Sequence, residues 1–526
     1  MTDTLSALLW LGPVAYIAAG VLAPMLPTRV AWLVAEIVAL MVLALSLGGV
    51  IEAIDKTADG TPIDGLGLAM VTLIGLLGWV IVRYSQRYLV GEPNQARYIT
   101  ALMGTLASVI IVTLSDNLGL LVAAWIASSL ALHGLLIYYS HRPAALASAH
   151  KKFLASRLAE LCLIAALGLI YWEIGSLQLS WLAAYAEGSN PLPVRLHIAM
   201  VLVALGAALK SAQMPVHGWI LQVMEAPTPV SALLHAGVVN LSGFVLIRLA
   251  EPLAAAPVAQ ALLVVIGSIT AVLAALVMMT RVSIKVRLAW STCSQMGFML
   301  LECGLGLYEL ALLHLIAHSA YKGYAFLAAG DTVSYAQRHA FLPDAFVAAA
   351  PNRVVSRLAT APVAIALLLG VTLAWQQLMP HVTGLALPGV AVLIVGIGLA
   401  PLLWPMADRA LRAVIRGGAT IVLLAHLYLI WHIAFAGLAP RADEPAATWL
   451  IYWTVALFTA FYVMQTLVVA VPEARLCQLL RRWAVAGFFM DELFTRLTFR
   501  IWPLRLPAEA RATPATAPSV LPGEPS

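Results

Sequence analysis

The stretch LKSAQMPVHGWILQVMEAPTPVSALLHAG, residues 209–237, carries one lysine, two histidines, one glutamate and three prolines among residues typical of a membrane helix. From Val194 to Glu225 the apolar pattern covers about 32 residues, or about 48 Å of ideal helix, which exceeds a hydrocarbon layer of roughly 30 Å. Pro215 lacks a backbone donor and clashes with the preceding turn, so it predicts a broken helix near Lys210. Broken helices occur in membranes only where protein or a wet cavity satisfies the exposed backbone groups. The stretch therefore predicts a polar site inside a membrane fold.

Composition supports a membrane protein along the whole chain. Of the 526 residues, 62% are hydrophobic and 10% are charged, and the mean hydropathy is +0.93. Apolar runs of about 20 residues recur, each long enough to span a bilayer as a helix, and the alternating segments of a β-barrel are absent. The sequence therefore predicts an all-α polytopic membrane protein.

Motifs for cofactors and nucleic acids are absent from the sequence. The four cysteines form no CxxC pair, no Gly-rich phosphate loop is present, and the net charge of +5 is spread over many connections. We therefore predict no cofactor, no bound metal and no nucleic-acid partner. The lipid bilayer is the expected environment, and no soluble catalytic domain is expected to be attached.

The hydropathy pattern predicts about fifteen transmembrane helices. They begin near residues 5, 30, 63, 98, 117, 154, 194, 227, 260, 289, 308, 354, 386, 412 and 447. Basic residues fall in alternate connections, and Lys151 and Lys152 are counted with one of these loops. Because basic loops face the cytoplasm, we expect a multi-pass protein with its N-terminus outside and its C-terminus in the cytoplasm.

The chain divides into three parts by composition. Residues 1–472 are expected to form one transmembrane domain. Residues 473–505 mix basic and aromatic residues at helical spacing, which is typical of an amphipathic segment at the cytoplasmic surface of the bilayer. Residues 506–526 are rich in proline and small residues and are expected to be disordered.

Lys210 is the most unusual residue of the opening stretch. A lysine at the centre of a bilayer costs on the order of 3 kcal/mol on insertion scales, so we expect a functional reason for it. Glu160 is the nearest counter-charge by predicted depth, although spacing alone equally allows a structural pair between Arg157 and Glu160. The alternative for Lys210 is an extended side chain that reaches an interface, or a static ion pair.

A second titratable cluster occurs in ELALLHLIAHSAYKGYAFLAAGD, residues 309–331. His314, His318 and Lys322 are spaced i, i+4, i+8 and share one helical face. Such a row can pass protons through intervening water, and His235 is a candidate bridge to Lys210. Six other polar residues are assigned no role, because Glu302 and Glu309 are expected to be solvated in a short outer loop and the rest to be structural. The six are Arg248, Glu251, Glu302, Glu309, His426 and His432.

Several blocks between Ser115 and about Asp331 carry a family resemblance. They are SDNLGLLVAAW, RLAELCL, GAALKSAQMPVHGW, APTPVSALLHAG, KVRLAWSTCSQMGFM and HLIAHSAYKGYAFLAAG. Together they resemble the antiporter-like subunits of respiratory complex I and of Mrp cation/proton antiporters, in the NuoL/MrpA branch. The resemblance implies the complex I antiporter-like fold and a proton pathway through the membrane. It places in that pathway the residues Glu160, Lys210, His235, Lys285, His314, His318 and Lys322.

Two departures from that branch refine the resemblance. The chain has Ile126 after Trp125, where the branch keeps a glutamate, and the later GFxSKDxI block is replaced by APVAIALLLGVTLAWQQLM over residues 361–379. With the ending GFFMDELFTRLTFRIWP, this pattern resembles the DabB family, the membrane subunits of bacterial inorganic-carbon accumulation complexes. That resemblance implies a location in the bacterial inner membrane, a zinc-containing DabA-like partner, and a flow of protons or sodium ions that energises conversion of CO2 to bicarbonate. It also implies that the chain is a transporter subunit and not an enzyme.

Three functions follow as hypotheses. The first is a cation-conducting subunit that serves an inorganic-carbon partner. The second is an antiporter-like subunit of a complex I, hydrogenase or Mrp assembly. The third is a scaffold that conducts nothing and anchors a soluble enzyme.

Overall fold

The computed structural model describes residues 7–58, 64–188, 191–331, 353–380, 388–408, 411–435, 437–440 and 446–503. The tail predicted over residues 506–526 lies outside these residues. Every named element in the described ranges is a helix, and the isolated β-type bridge in them joins Asn117 and Gln178.

The helices follow one another with short connections. The first twelve α-helices are α1 (Leu11–Leu22), α2 (Thr28–Ala58), α3 (Gly65–Tyr88), α4 (Gln95–Leu114), α5 (Leu118–Leu136), α6 (Pro143–Ile174), α7 (Leu179–Gly188), α8 (Val194–Lys210), α9 (Gly218–Gln222), α10 (Thr228–Ala236), α11 (Leu241–Arg248) and α12 (Ala250–Ala254). The next ten are α13 (Pro257–Met278), α14 (Ile284–Gly304), α15 (Tyr308–Leu327), α16 (Arg353–Leu358), α17 (Thr360–Leu378), α18 (Gly389–Leu399), α19 (Leu411–Ala434), α20 (Thr448–Ala470), α21 (Arg475–Val485) and α22 (Met490–Ile501). Short 3-10 helices cover Ala23–Met25, Val223–Glu225, Val238–Asn240, Ala400–Asp408 and Gly487–Phe489.

Eleven helices within the described residues are long and apolar enough to cross a membrane. They correspond to α1 to α6, to α10 joined with α11, and to α13, α17, α19 and α20. Helices also occur at the other four predicted positions, but α8, α14, α15 and α18 are too short or too polar to meet the same standard. The all-helical membrane architecture is confirmed, and the count of fifteen crossings stays a prediction.

The predicted break after Lys210 is confirmed. Helix α8 ends at Lys210, and α9 begins only at Gly218. Side chains from neighbouring helices satisfy the backbone of the connecting residues: Met214 N donates to Thr270 Oγ1 at 3.2 Å, and the Ala212 carbonyl accepts from Cys293 Sγ at 3.3 Å. Buried backbone groups must be paired, and these contacts allow a helix to stop inside the protein.

Helix α6 begins well before the predicted start near residue 154, at Pro143. Proline is well suited to the first helical turn, where its missing N–H has no partner to lose. As a result Lys151 and Lys152 belong to a helix and are 0% and 5% exposed, so their assignment to a basic loop is wrong. Hydropathy averages treat a charged residue as solvated, whereas partners from distant segments make these two burials possible.

Helices α13 and α14 pack with their backbones in close approach. Gly267 and Gly297 face each other, and a Cβ on either would lie 2.5 Å from the other's carbonyl oxygen. Small residues commonly permit such packing between membrane helices. The pair therefore holds α14, and with it the neighbouring α15, close to the centre of the bundle.

Helices α21 and α22 lie across one end of the bundle. Trp502 stacks on His150 of α6 with ring centres 3.9 Å apart, and Arg281, just before α14, donates to the Ala484 carbonyl at 3.4 Å. We call residues 473–503 the C-terminal segment and this end of the bundle the C-terminal face. Helices α6 and α14 begin at this face and run toward the opposite face.

Candidate functional site

A buried ion pair lies beside the helix break. Lys210 Nζ donates to Glu160 Oε1 at 3.2 Å and to the Trp125 carbonyl at 3.3 Å, and both charged side chains are 6% exposed. The ammonium also lies 4.9 Å from the centre of the Trp125 indole ring, within cation–π range. The predicted contact between Glu160 and Lys210 is confirmed, and Lys210 is enclosed by protein instead of reaching a surface.

Glu160 serves two cations at once. Arg157 Nη2 donates to Glu160 Oε1 at 2.8 Å from the same helix. Both pairings considered from the sequence are therefore present, with Arg157 and Lys210 on one carboxylate. Since one carboxylate cannot balance two cations, the site holds an excess of positive groups, and each cation is held less tightly than in an isolated pair.

Trp125 occupies the position next to the departure at Ile126. The NuoL/MrpA branch keeps a glutamate at position 126. In this chain the carbonyl and the ring of Trp125 contact Lys210 instead of such a carboxylate. A carbonyl dipole stabilises an ammonium without neutralising it. The carboxylate within hydrogen-bonding distance of Lys210 is therefore supplied by α6.

Lys152 is a site residue that the sequence interpretation missed. Its Nζ donates to Ser129 Oγ at 2.7 Å and to the Ser129 carbonyl at 2.9 Å. A cavity of about 20 Å³ is lined by both Lys152 and Lys210 and has room for about one water molecule. The spacing of Lys152, Ser156 and Glu160 is i, i+4, i+8, and this signal was available once α6 was extended to Pro143.

The predicted row on α15 is also present. The rings of His314 and His318 are 6.1 Å apart, and Lys322 Nζ donates to the Leu288 carbonyl on α14 at 3.0 Å. His318 and Lys322 are buried, with exposures of 5% and 1%. The three side chains follow the axis of α15, with Lys322 nearest the C-terminal face.

Asn240 holds His318 in place. Asn240 Nδ2 donates to Ser319 Oγ at 2.7 Å, which leaves Asn240 Oδ1 as the acceptor 3.2 Å from His318 Nδ1. This arrangement requires the proton on Nδ1, because an amide oxygen accepts and cannot donate. His318 Nε2 is then the atom that can accept a proton.

Glu302 was expected to be a solvated loop residue, and this expectation is wrong. Its side chain is 12% exposed, and Glu302 Oε2 lies 2.9 Å from His314 Nδ1. Helix α14 continues to Gly304, so it carries this carboxylate onto the end of the α15 row. The tight turn between α14 and α15 brings the two together, a contact that loop composition alone does not reveal. A second such pair joins Glu309 and His432 at 3.8 Å.

His235 and Lys285 lie beside the α15 row without hydrogen bonds to its histidines or lysine. His235 stacks on Phe326 with ring centres 4.3 Å apart, and neither of its ring nitrogens has a hydrogen-bond partner among the described residues. Lys285 Nζ donates to Thr228 Oγ1 at 2.9 Å, at the start of α10. Helix α10 also contributes Leu234 to the cavity beside Lys210, so α10 lies between the two clusters. The bridging role of His235 stays a prediction.

The arrangement suits the transfer of a small cation. Two rows of titratable groups, one on α6 and α8 and one on α15, are buried among apolar helices and end in carboxylates. Among the described residues there is no group of three or more His, Cys, Asp or Glu side chains placed to hold a metal ion. Buried ionisable groups inside membrane bundles commonly mark proton or ion routes.

Comparison with known sequences connects this site to characterised families. The family described as NADH:quinone oxidoreductase/Mrp antiporter, TM matches residues 115–388. The chain is 39% identical to the probable inorganic carbon transporter subunit DabB of Hydrogenovibrio crunogenus, over 91% of this chain and 92% of that protein. It is 37% identical to the probable inorganic carbon transporter subunit DabB2 of Halothiobacillus neapolitanus, over 92% and 87% of the two chains. It is 33% identical to NADH-quinone oxidoreductase subunit L of Escherichia coli, over 52% and 44%.

Solved structures show the same fold. A chain of the Mrp complex from Dietzia sp. DQ12-45-1b matches with a TM-score of 0.60 and 23% identity, over 91% of this chain and 59% of that chain. A chain of the membrane-bound sulfane sulfur reductase, an archaeal respiratory membrane complex, matches with a TM-score of 0.57 and 17% identity, over 93% and 99%. At these identities the likeness concerns the fold, and the expected antiporter-like architecture is confirmed.

Proposed function

The chain belongs to the DabB family of inorganic carbon transporter subunits, within the NADH:quinone oxidoreductase/Mrp antiporter membrane proteins, and on this basis we propose that it conducts protons or sodium ions for an inorganic-carbon uptake complex. The proposed route includes Glu160, Lys210, His235, Lys285, His314, His318 and Lys322. To these residues we add Lys152 and Glu302.

The contact between Lys210 and Glu160 is the observation that carries this proposal. An arriving cation competes with the Lys210 ammonium for the Glu160 carboxylate, which Arg157 already shares. A proton that binds the carboxylate, or a sodium ion that replaces the ammonium, weakens the pair. The released ammonium has a polar cavity beside it, lined by Ser128, Ser129 and Lys152. The ion pair can therefore act as a step that opens and closes with each cation.

We assign the C-terminal face to the cytoplasm of a bacterial inner membrane, and the N-terminus to the outside. The alternating basic loops support this orientation, although Lys151 and Lys152 no longer contribute to it. We assign the hydration of CO2 to a zinc-containing partner similar to DabA. Cation entry through this chain then supplies the energy that keeps bicarbonate accumulation in one direction.

A growth test addresses the proposed function. The wild-type chain and its partner, expressed in a bacterium without carbonic anhydrase, should restore growth in ordinary air. Lys210→Ala should abolish this rescue while the complex still assembles. The matched control is Arg195→Ala on the same helix, where an exposed arginine pairs with Glu173 at 3.0 Å, and it should support normal growth. Full rescue by an assembled Lys210→Ala complex would favour a scaffold and reject conduction.

A second candidate is an antiporter-like subunit of a complex I, hydrogenase or Mrp assembly. The family match over residues 115–388 and the fold of the Mrp complex chain favour it. Copurification from the native membrane separates the two candidates. A large zinc-containing partner supports the carbon-uptake complex, whereas quinone-reducing, hydrogenase or other antiporter subunits support the second candidate.

A further inference from the structure

We propose that Asp491, carried by the C-terminal segment, is the terminal carboxylate of the ion route on α6, so that cations pass between this route and the cytoplasm through Asp491. The inference rests on the proposed function. It makes the C-terminal segment a part of the conduction path in addition to its place at the bilayer surface.

Asp491 is bonded to a buried cation. Lys151 Nζ donates to Asp491 Oδ2 at 2.6 Å, and the side chains of Lys151 and Asp491 are 0% and 27% exposed. The contact therefore joins a fully buried ammonium to a side chain that is partly exposed. Thr495 Oγ1 donates to the same oxygen at 3.1 Å, which orients the carboxylate on α22.

The residues after Lys151 continue the polar column along α6. Lys152 follows directly and bonds to Ser129, Ser156 lies one turn further and lines the cavity beside Lys210, and Glu160 lies one turn beyond. Side chains spaced by four residues stack on one face of a helix. Lys152, Ser156 and Glu160 therefore form a column that reaches the ion pair at the helix break, and Lys151, the residue before Lys152, joins Asp491 at the C-terminal face to the start of α6's buried polar residues.

A cavity on the other side of Asp491 provides access for water and ions. Its volume is about 590 Å³, and its polar lining includes Asp491, His217, Arg281 and Glu492. His217 is 1% exposed, and neither its ring nitrogens nor Asp491 Oδ1 has a hydrogen-bond partner among the described residues. These atoms are themselves buried, and the cavity beside them has room for several water molecules. The cavity thus gives water and ions access to the Asp491 side chain, which forms part of its lining.

The carboxylate of Asp491 is seated closely against the backbone that follows the helix break. A Cβ on Gly218, the first residue of α9, would overlap the Asp491 carboxylate. Trp502, at the other end of α22, stacks on His150, the residue before Lys151. These two contacts position α22 over the start of α6, and a partner that binds the C-terminal segment would act directly on the end of the ion route.

The test compares two carboxylates of the C-terminal segment, one inside and one outside the proposed route. The full complex, purified through this chain and placed in lipid vesicles, is given a membrane potential, and trapped dyes report proton and sodium entry separately. Asp491→Asn should lower the flux of the conducted ion by about a hundredfold or more, the contribution typical of a positioned group that transfers protons. Glu473→Gln, which removes an exposed carboxylate of the C-terminal segment that does not line this cavity, should leave the flux unchanged. Wild-type flux in Asp491→Asn would overturn the proposal.

A double variant separates conduction from simple charge balance. If Asp491 only neutralises Lys151, the variant Asp491→Asn with Lys151→Met removes both charges and restores the flux, which would also overturn the proposal. If cations pass through Asp491, the double variant stays inactive. If the Asp491→Asn complex does not assemble, Gly218→Ala is used instead, because it displaces the Asp491 carboxylate and leaves every charge in place. Gly168→Ala is its control. An unchanged flux in Gly218→Ala overturns the proposal.

Lys210→Ala is measured in the same vesicles so that the two proposals fail separately. Equal flux in the wild type and in Lys210→Ala rejects the proposed function itself. Loss of flux in Lys210→Ala together with normal flux in Asp491→Asn rejects the role of Asp491 alone.

Discussion

Lys210 Nζ lies 3.2 Å from Glu160 Oε1, although 50 residues separate the two in the chain. The contact forms at the point where α8 stops, so the ammonium extends from a helix end toward the middle of α6. An ion pair at a helix end can change its geometry without bending a continuous helix. This relationship makes the pair a suitable step for cation passage.

Replacement of Glu160 by glutamine should uncouple this step. Without the carboxylate, the buried Lys210 ammonium loses its counter-charge, a situation that costs about 3–5 kcal/mol in measured systems. We expect a lower thermal unfolding temperature of the complex and loss of cation flux in vesicles. Glu173→Gln, near the end of the same helix, is the control and should affect neither. Normal flux in an assembled Glu160→Gln complex would remove Glu160 from the route.

Asn240 should control the protonation state of His318. With Asn240→Ala the amide acceptor is lost, so the Nδ1 proton of His318 is no longer held and either ring nitrogen can carry it. We expect a drop in flux of about tenfold with little change in complex yield. NMR of the labelled imidazole nitrogens should show a shift from one tautomer to a mixture. A single unchanged tautomer in the variant would contradict this account.

Glu302 should determine how readily His314 exchanges protons with the opposite face. Its carboxylate stabilises the charged imidazolium at 2.9 Å, and Glu302→Gln removes that stabilisation. We therefore expect proton-driven flux in the variant to require a lower pH on the opposite face than in the wild type. Glu187→Gln, on the exposed end of α7, serves as the control. The measurement is flux against the pH of that face, and superimposable curves would argue for a purely structural pair.

Gly267→Ala should disturb the contact between α13 and α14. The added Cβ would lie 2.5 Å from the Gly297 carbonyl oxygen, and overpacking of this kind typically costs about 1–3 kcal/mol. The thermal unfolding temperature and yield of the complex should fall. Gly168→Ala is a matched helix substitution with no atom within 4 Å of the new Cβ, and it should be neutral or slightly stabilising. Equal stability of the two variants would show that the close approach is not needed.

Hydropathy and local spacing anticipated much of the molecule. Long apolar runs with few charges predicted a helical membrane bundle, and Pro215 predicted the break after Lys210. The i, i+4, i+8 spacing placed His314, His318 and Lys322 on one face before their neighbours were known. The counter-charge role of Glu160 followed from its depth in the predicted helix, because opposite charges buried at similar depth favour contact.

Hydropathy and local spacing could not predict contacts between distant segments of the chain. Lys151 and Lys152 carry the local signature of a loop, and only Asp491 and Ser129, from other parts of the chain, make their burial possible. Glu302 likewise lies in a stretch with the composition of a loop, and only the turn after α14 places it against His314.

The sequence by itself determined the helices, the break and the faces that carry titratable residues, because these depend on hydrophobic transfer and on backbone geometry within about four residues. The tertiary structure decided which charges share a partner, where water has room, and that the C-terminal segment ends the α6 column. These outcomes depend on the packing of helices against one another, since a buried charge is stable only when another segment supplies its counter-charge or hydrogen bond.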